Sequence, residues 1–127
     1  MNIPSGPHAE LRDKIDIALA LGGDVMDFND LCEMARTGRV QLWLADRETA
    51  LIATEIVNYP RKRVMHCFMA AGSLPGIFSL RDKIETFARD EDIDCLTCSG
   101  SPAWGRLGRR YGWRLHSMTF VRNLKGH

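Results

Sequence analysis

The chain has 127 residues, enough for one domain around one core. Its 45% hydrophobic and 26% charged residues exclude a disordered chain, and a net charge of +1 gives no global field that would draw nucleic acid or an acidic partner. No apolar run reaches the roughly 18–20 residues that cross a bilayer, and the opening Met-Asn-Ile-Pro-Ser-Gly-Pro has neither the basic nor the apolar region of a secretory signal, so a cytoplasmic location is expected.

Residues 1–7 read as an arm punctuated by Pro and Gly, flexible or held by a partner. Leu11, Ile15, Ala18 and Leu19 then recur on one helical face, and Gly22-Gly23 stop that helix. A second helix starts near Asp27, which can cap the amide of Asp30 while Met26 staples onto Leu31. Phe28, Leu31, Cys32 and Ala35 are its buried stripe, and Gly38 closes it. The period then changes from helical to alternating. Val40–Leu44, Ala50–Val57 and Arg63–Ala71 read as three strands joined by the turns 46–49 and 58–61, an antiparallel meander.

Gly72-Ser73-Leu74-Pro75-Gly76 breaks the meander. A third helix follows, started either by Pro75 or by the capping pattern Ser79-x-x-Asp82, with Leu80, Ile84, Phe87 and Ala88 buried. Ile93–Cys98 is a fourth strand. Ser101 and Pro102 open a fourth helix bearing Trp104, Leu107 and Tyr111, Gly112 ends it, and Trp113–Val121 is a final strand before the polar tail 122–127. The order predicts a single α/β domain over 1–127: a mixed sheet in which the meander is followed by β-α-β-α-β, with helices on both faces.

The four cysteines read as buried thiols of a reducing compartment. Cys95 and Cys98 are three apart on a strand, so they face opposite ways and cannot chelate one ion; no metal is expected.

The element order from residue 27 to residue 121, with Gly112-Trp113 where a helix runs into a strand, is similar to the GNAT acetyltransferase superfamily. The resemblance implies acetyl-CoA as cofactor and a loop after the meander that turns backbone N–H groups toward a pyrophosphate. Gly72, Ser73 and Gly76 are the candidates for that loop, but the usual Arg/Gln-x-x-Gly-x-Gly spacing is absent. The family's frequent general-acid tyrosine falls on Gly108. Tyr111 comes three positions later, turned about 300° around the helix at about 100° per residue. The usual Asn is Ser101, and the usual first strand is missing. Small degenerate members of this look occur in bacteriophages and share a Tyr-Pro-Arg turn and a Gly-Trp junction, matched here by Tyr59-Pro60-Arg61 and Gly112-Trp113.

Glu55, mid-strand, could accept a proton from an amine, or be an ordinary residue of a half-covered sheet. His66 could pair with it across the strands if the turn sets that register, with Val64, Phe68 and Ala70 on its face. Arg61, Lys62 and Arg63 form a basic hairpin tip, and Arg106, Arg109, Arg110 and Arg114 a second basic group. They could grip another protein subunit or, on a weaker signal, nucleic acid. Trp43 and Trp104 are candidate interface anchors or core residues. Two functions follow: a non-catalytic GNAT-like scaffold that works through protein contacts, as in a phage virion or its assembly in the host cytoplasm, or a divergent acetyl-CoA-dependent N-acetyltransferase using Glu55 and His66. The second expects an open cleft where strands splay beside Gly72.

Overall fold

The structure is a computed structural model that describes residues 9–100 and 102–125. The arm 1–7, the cap expected at Ser101 and the end of the polar tail lie outside the described residues. Helix α1 (Ala9–Leu21) buries Leu11, Ile15 and Leu19 on one face, as their spacing dictates. Helix α2 (Phe28–Arg36) opens on a closed capping box. Asp30 N donates to Asp27 Oδ1 at 2.8 Å, and Asp27 N donates to Asp30 Oδ2 at 3.0 Å. Phe28 and Leu31 then face α1 and the sheet.

Four strands form one sheet in the order β1-β2-β3-β4: β1 (Gln41–Leu44), β2 (Ala50–Asn58), β3 (Arg63–Gly72) and β4 (Cys95–Cys98). The first three pair antiparallel and β4 runs parallel to β3. Leu42, Leu51, Ala53, Met69 and Ala71 pack under α1 and α2. Ala50, Ile52 and Met65 face the other way, onto Leu80, Ile84 and Ala88 of the segment comprising α3 (Leu74–Ser79) and α4 (Arg81–Asp90). Burying one such aliphatic side chain contributes about 1.5–3 kcal/mol. The fold is therefore α/β with a mixed sheet and helices on both faces.

Three expectations are corrected. Ala53 pairs with Met69 and Thr54 with Cys67, so Phe68 is an extra residue, a β-bulge. The bulge shifts the alternation. His66 keeps Phe68 on its side, but Ala70 falls on the opposite face with Met65 and Cys67. Ser79 does not cap α4; its hydroxyl donates to Gly76 O at 2.6 Å inside α3, and the chain bends at Leu80 into α4. Finally, α5 (Pro102–Gly108) and a 3-10 turn (Arg109–Tyr111) end as expected at Gly112, with φ +86°, but Trp113–Val121 joins no strand. Alternation gives that segment its strand character; a strand also needs a neighbour, and β4 remains the edge of the sheet.

Candidate functional site

A cleft of about 240 Å³ lies between the end of α1 and the sheet. Its walls are Ala18, Leu19 and Gly22, the following Val25 and Met26, and Glu55, His66 and Phe68 of β2 and β3. Glu55 and His66 are direct cross-strand partners, because the turn between β2 and β3 sets the register and no bulge intervenes before them. The two residues singled out as candidate chemistry thus share one cleft. His66 does not spend its ring on Glu55. Its Nδ1 lies 2.7 Å from Thr97 Oγ1, and its Nε2 lies 3.0 Å from Ser99 Oγ. A hydroxyl can donate or accept, so both contacts suit either neutral tautomer. Glu55 is half-buried and lines this largely apolar cleft. The arrangement offers a carboxylate as proton acceptor beside an imidazole anchored at both nitrogens. Its volume is below the roughly 300–1,000 Å³ of small-molecule sites, enough for a side chain but not for a whole nucleotide cofactor.

Thr97, Ser99 and the α1–α2 wall were not readable as site residues. The parallel pairing of β4 with β3, which brings Thr97 opposite His66, is a long-range register with no local signal. That pairing runs only from Val64 to Cys67 and ends with Ser99 N donating to Cys67 O at 3.0 Å. Beyond it β3 continues from Phe68 to Gly72 while β4 has stopped, so the two strands part just past His66.

At the head of α3 the amides of Ser73, Gly76 and Ile77 are already engaged. Ser73 N donates to Thr49 O at 2.9 Å, Gly76 N to Ser73 Oγ at 3.1 Å, and Ile77 N to Ser73 O at 3.0 Å. Pro75 has no N–H. The glycines serve close packing: a Cβ on Gly76 would come within 2.9 Å of Ala50 Cβ and 2.7 Å of Thr49 Oγ1. Gly108 is likewise hemmed in, since its Cβ would meet Trp113 Cβ at 3.0 Å. Tyr111 stacks at 5.4 Å on Phe78 and lies under Arg81 at 4.4 Å, among the helices of the other sheet face from Glu55 and His66.

The proposed contact residues divide. Arg61, Lys62, Arg109 and Arg110 are exposed. Arg63 is tied to Glu91 by an ion pair at 3.6 Å and donates to Asn58 Oδ1 at 2.9 Å. Trp43 is half-buried, edge-on to Phe87 at 5.2 Å, and its Nε1 donates to the buried Thr54 Oγ1 at 3.0 Å, which donates on to Gln41 Oε1 at 2.9 Å. Trp104 packs against Gly100, where a Cβ would stand 2.9 Å from its ring. Among the described residues no group of three His, Cys, Asp or Glu is placed to hold a metal ion, and no helix is long and apolar enough to cross a membrane.

Cys67 and Cys98 are opposed on β3 and β4. Burial pushes the Cys67 thiol up to about 12, with Cys98 adding to the shift, and burial also raises Cys98. A folded pKa above the ordinary 9.0 leaves stability intact below pH 9 and removes it as pH climbs from about 9 toward about 12. Wild type is therefore expected to lose about 1–2 kcal/mol relative to Cys67→Ala between pH 9 and pH 11, a figure discounted for partial exposure. Urea midpoints at the two pH values measure it; parallel pH dependence in the two proteins contradicts it.

No family model matches the chain, and none of the curated proteins matches it in sequence. Solved structures do. A probable acetyltransferase superposes with a TM-score of 0.68 at 14% identity, covering 98% of this chain and 97% of its own. A predicted acetyltransferase from Clostridium acetobutylicum, solved with acetyl-CoA, gives 0.66 at 13% identity, covering 94% and 91%. A ribosomal-protein-alanine N-acetyltransferase from Brucella melitensis biovar Abortus 2308 gives 0.59 at 12% identity, covering 91% and 94%. The chain therefore has the fold of these acetyltransferase structures, a GNAT-like fold, and identities this low speak to fold alone.

Proposed function

We propose that this GNAT-like scaffold does not transfer acetyl groups and acts through contacts with other protein subunits, in a bacteriophage virion or its assembly. The observation that carries the reading is the state of the amides at Gly72–Gly76. A pyrophosphate needs several N–H groups aimed outward at a helix start. Here Ser73, Gly76 and Ile77 donate internally and Pro75 has nothing to donate. Gly108 at the acid position adds to it, because Trp113 fills the space a side chain would need. The phage setting rests on the resemblance carried by Tyr59-Pro60-Arg61 and Gly112-Trp113. Calorimetry of the full chain with acetyl-CoA is expected to show no binding; a dissociation constant in the micromolar range overturns the reading.

A second reading, the divergent N-acetyltransferase, is favoured by one observation: Glu55 and His66 share a cleft next to the point where β3 and β4 part. In that reading Glu55 takes the proton of an amine acceptor, directly or through water. Glu55→Gln would then lower turnover by about 10²–10⁴-fold without loss of acetyl-CoA binding.

A further inference from the structure

Two thiols stand side by side at the last rung that joins β3 to β4. We propose that Cys67 and Cys98 close into a disulfide by exchange with a low-molecular-weight disulfide such as glutathione disulfide, and that this bridge staples the sheet at the point where the two strands part. The inference holds whether or not the chain transfers acetyl groups.

Register selects the pair. Cys67 opposite Cys98 is the final step of the ladder Val64–Cys95, Met65–Leu96, His66–Thr97. Met65, Cys67 and Leu96 pack in one cluster under α4. Cys98 lies two positions beyond Leu96, so strand alternation turns it to the same face. The thiols are near enough that Cys98 adds to the upward shift of Cys67. Neighbouring strands run about 4.8 Å apart, inside the roughly 4.4–6.8 Å between Cα atoms that a disulfide spans. The Cβ atoms must close to about 3.8 Å. β4 ends at Cys98 on the open edge of the sheet, so that end can yield. The other cysteines are misplaced. Cys95 faces away from Cys98 and stands three rungs, about 10 Å, from Cys67. Cys32 belongs to α2, packed on the other face of the sheet.

Exposure assigns the roles. Cys98 is exposed and Cys67 half-buried, so Cys98 meets the reagent. Its thiolate attacks one sulfur of the small disulfide. A bond forms between Cys98 Sγ and that sulfur, and the other half leaves with the electron pair and takes up a proton. Cys67 Sγ, deprotonated, then attacks Cys98 Sγ and expels the second half in the same way. The two protein thiols give up two electrons and two protons, and the small disulfide becomes two thiols. Cys67 loses only a weak bond, from its Sγ to Met69 O at 3.7 Å. Burial raises both thiols, so neither is helped to ionise and closure is slow. The bridge is durable for the same reason: nothing stabilises the thiolates that reduction would set free.

The staple acts on the cleft. His66 precedes Cys67 and Ser99 follows Cys98. Ser99 N donates to Cys67 O at 3.0 Å, and Ser99 Oγ lies 3.0 Å from His66 Nε2. A covalent link one residue away holds Ser99 in place, and with it the imidazole opposite Glu55. In the reduced chain those contacts are lost whenever the four-residue edge strand frays; in the bridged chain they persist.

The full chain, incubated in graded mixtures of glutathione and its disulfide, tests this by mass spectrometry after alkylation in denaturant. The expected chain has lost two hydrogens, yields Cys67 and Cys98 in linked peptides, and carries the alkyl label on Cys32 and Cys95. On closure the Ser99 amide should exchange at least ~10-fold more slowly. Cys98→Ser, at an exposed position, should form no bridge and keep the Ser99 rate of the reduced chain. Cys67→Ala should stop with glutathione bound to Cys98. A wild-type chain that stops at that mixed disulfide overturns the proposal. So do a bridge through Cys32 or Cys95, a link between two copies through Cys98, and four thiols that stay free. A Cys67–Cys98 bridge that leaves Ser99 exchange unchanged overturns the staple.

Discussion

Gly72→Ala is expected to lower stability by about 3–5 kcal/mol, a large share of the roughly 5–15 kcal/mol that holds a domain together. Gly72 ends β3 at φ +115°, where an L side chain is strained by about 1–3 kcal/mol. The added Cβ would also run into Thr49 O and stand 2.5 Å from Ala50 Cα. Both are backbone atoms of the neighbouring turn and strand, so no rotamer change relieves the overlap. A urea titration followed by circular dichroism gives the number, and a loss under about 1 kcal/mol would show that the β2–β3 junction has room it lacks here. The same substitution bears on the site: any loss of ligand binding in a Gly72 variant must first be separated from loss of fold.

Ile15→Ala is the second large effect, expected at about 2–5 kcal/mol, with Leu21→Ala on the same helix within about 0.5 kcal/mol. Ile15 is fully buried between α1 and the sheet, so its truncation leaves a cavity among Leu11, Leu19 and Leu31. Leu21 is 84% exposed at the helix end and leaves none. Thermal or urea unfolding of the pair separates the two predictions. Comparable losses would mean that α1 is held by its own turn structure and not by docking on β3.

Most of the framework was legible because it is written in local periods. The meander, the face of α1, the Asp27 cap and the Gly112 stop each depend on residues within a few positions of one another. The bulge at Phe68 was not, since Met65 to Ala71 is apolar on both faces except for His66 and gives no break in pattern. The segment 113–121 shows the converse: its alternation is plain, but pairing is settled by what lies beside it. Of the candidate site, Glu55 and His66 were found from residue type and register. The hydroxyls that anchor His66, 31 and 33 positions away along the chain, and the α1–α2 wall, also distant in sequence, could only come from the folded molecule.

The sheet divides the interior into two groups of side chains with no member in common, one under α1 and α2 and one under α3 and α4. Changes on opposite sides therefore combine additively, as they do for sites without shared partners. The cleft belongs to the first group, whereas Tyr111 contacts the helices of the second. Such a chain can be rebuilt around Glu55 and His66, by drift or by design, while the α4 side holds the architecture constant.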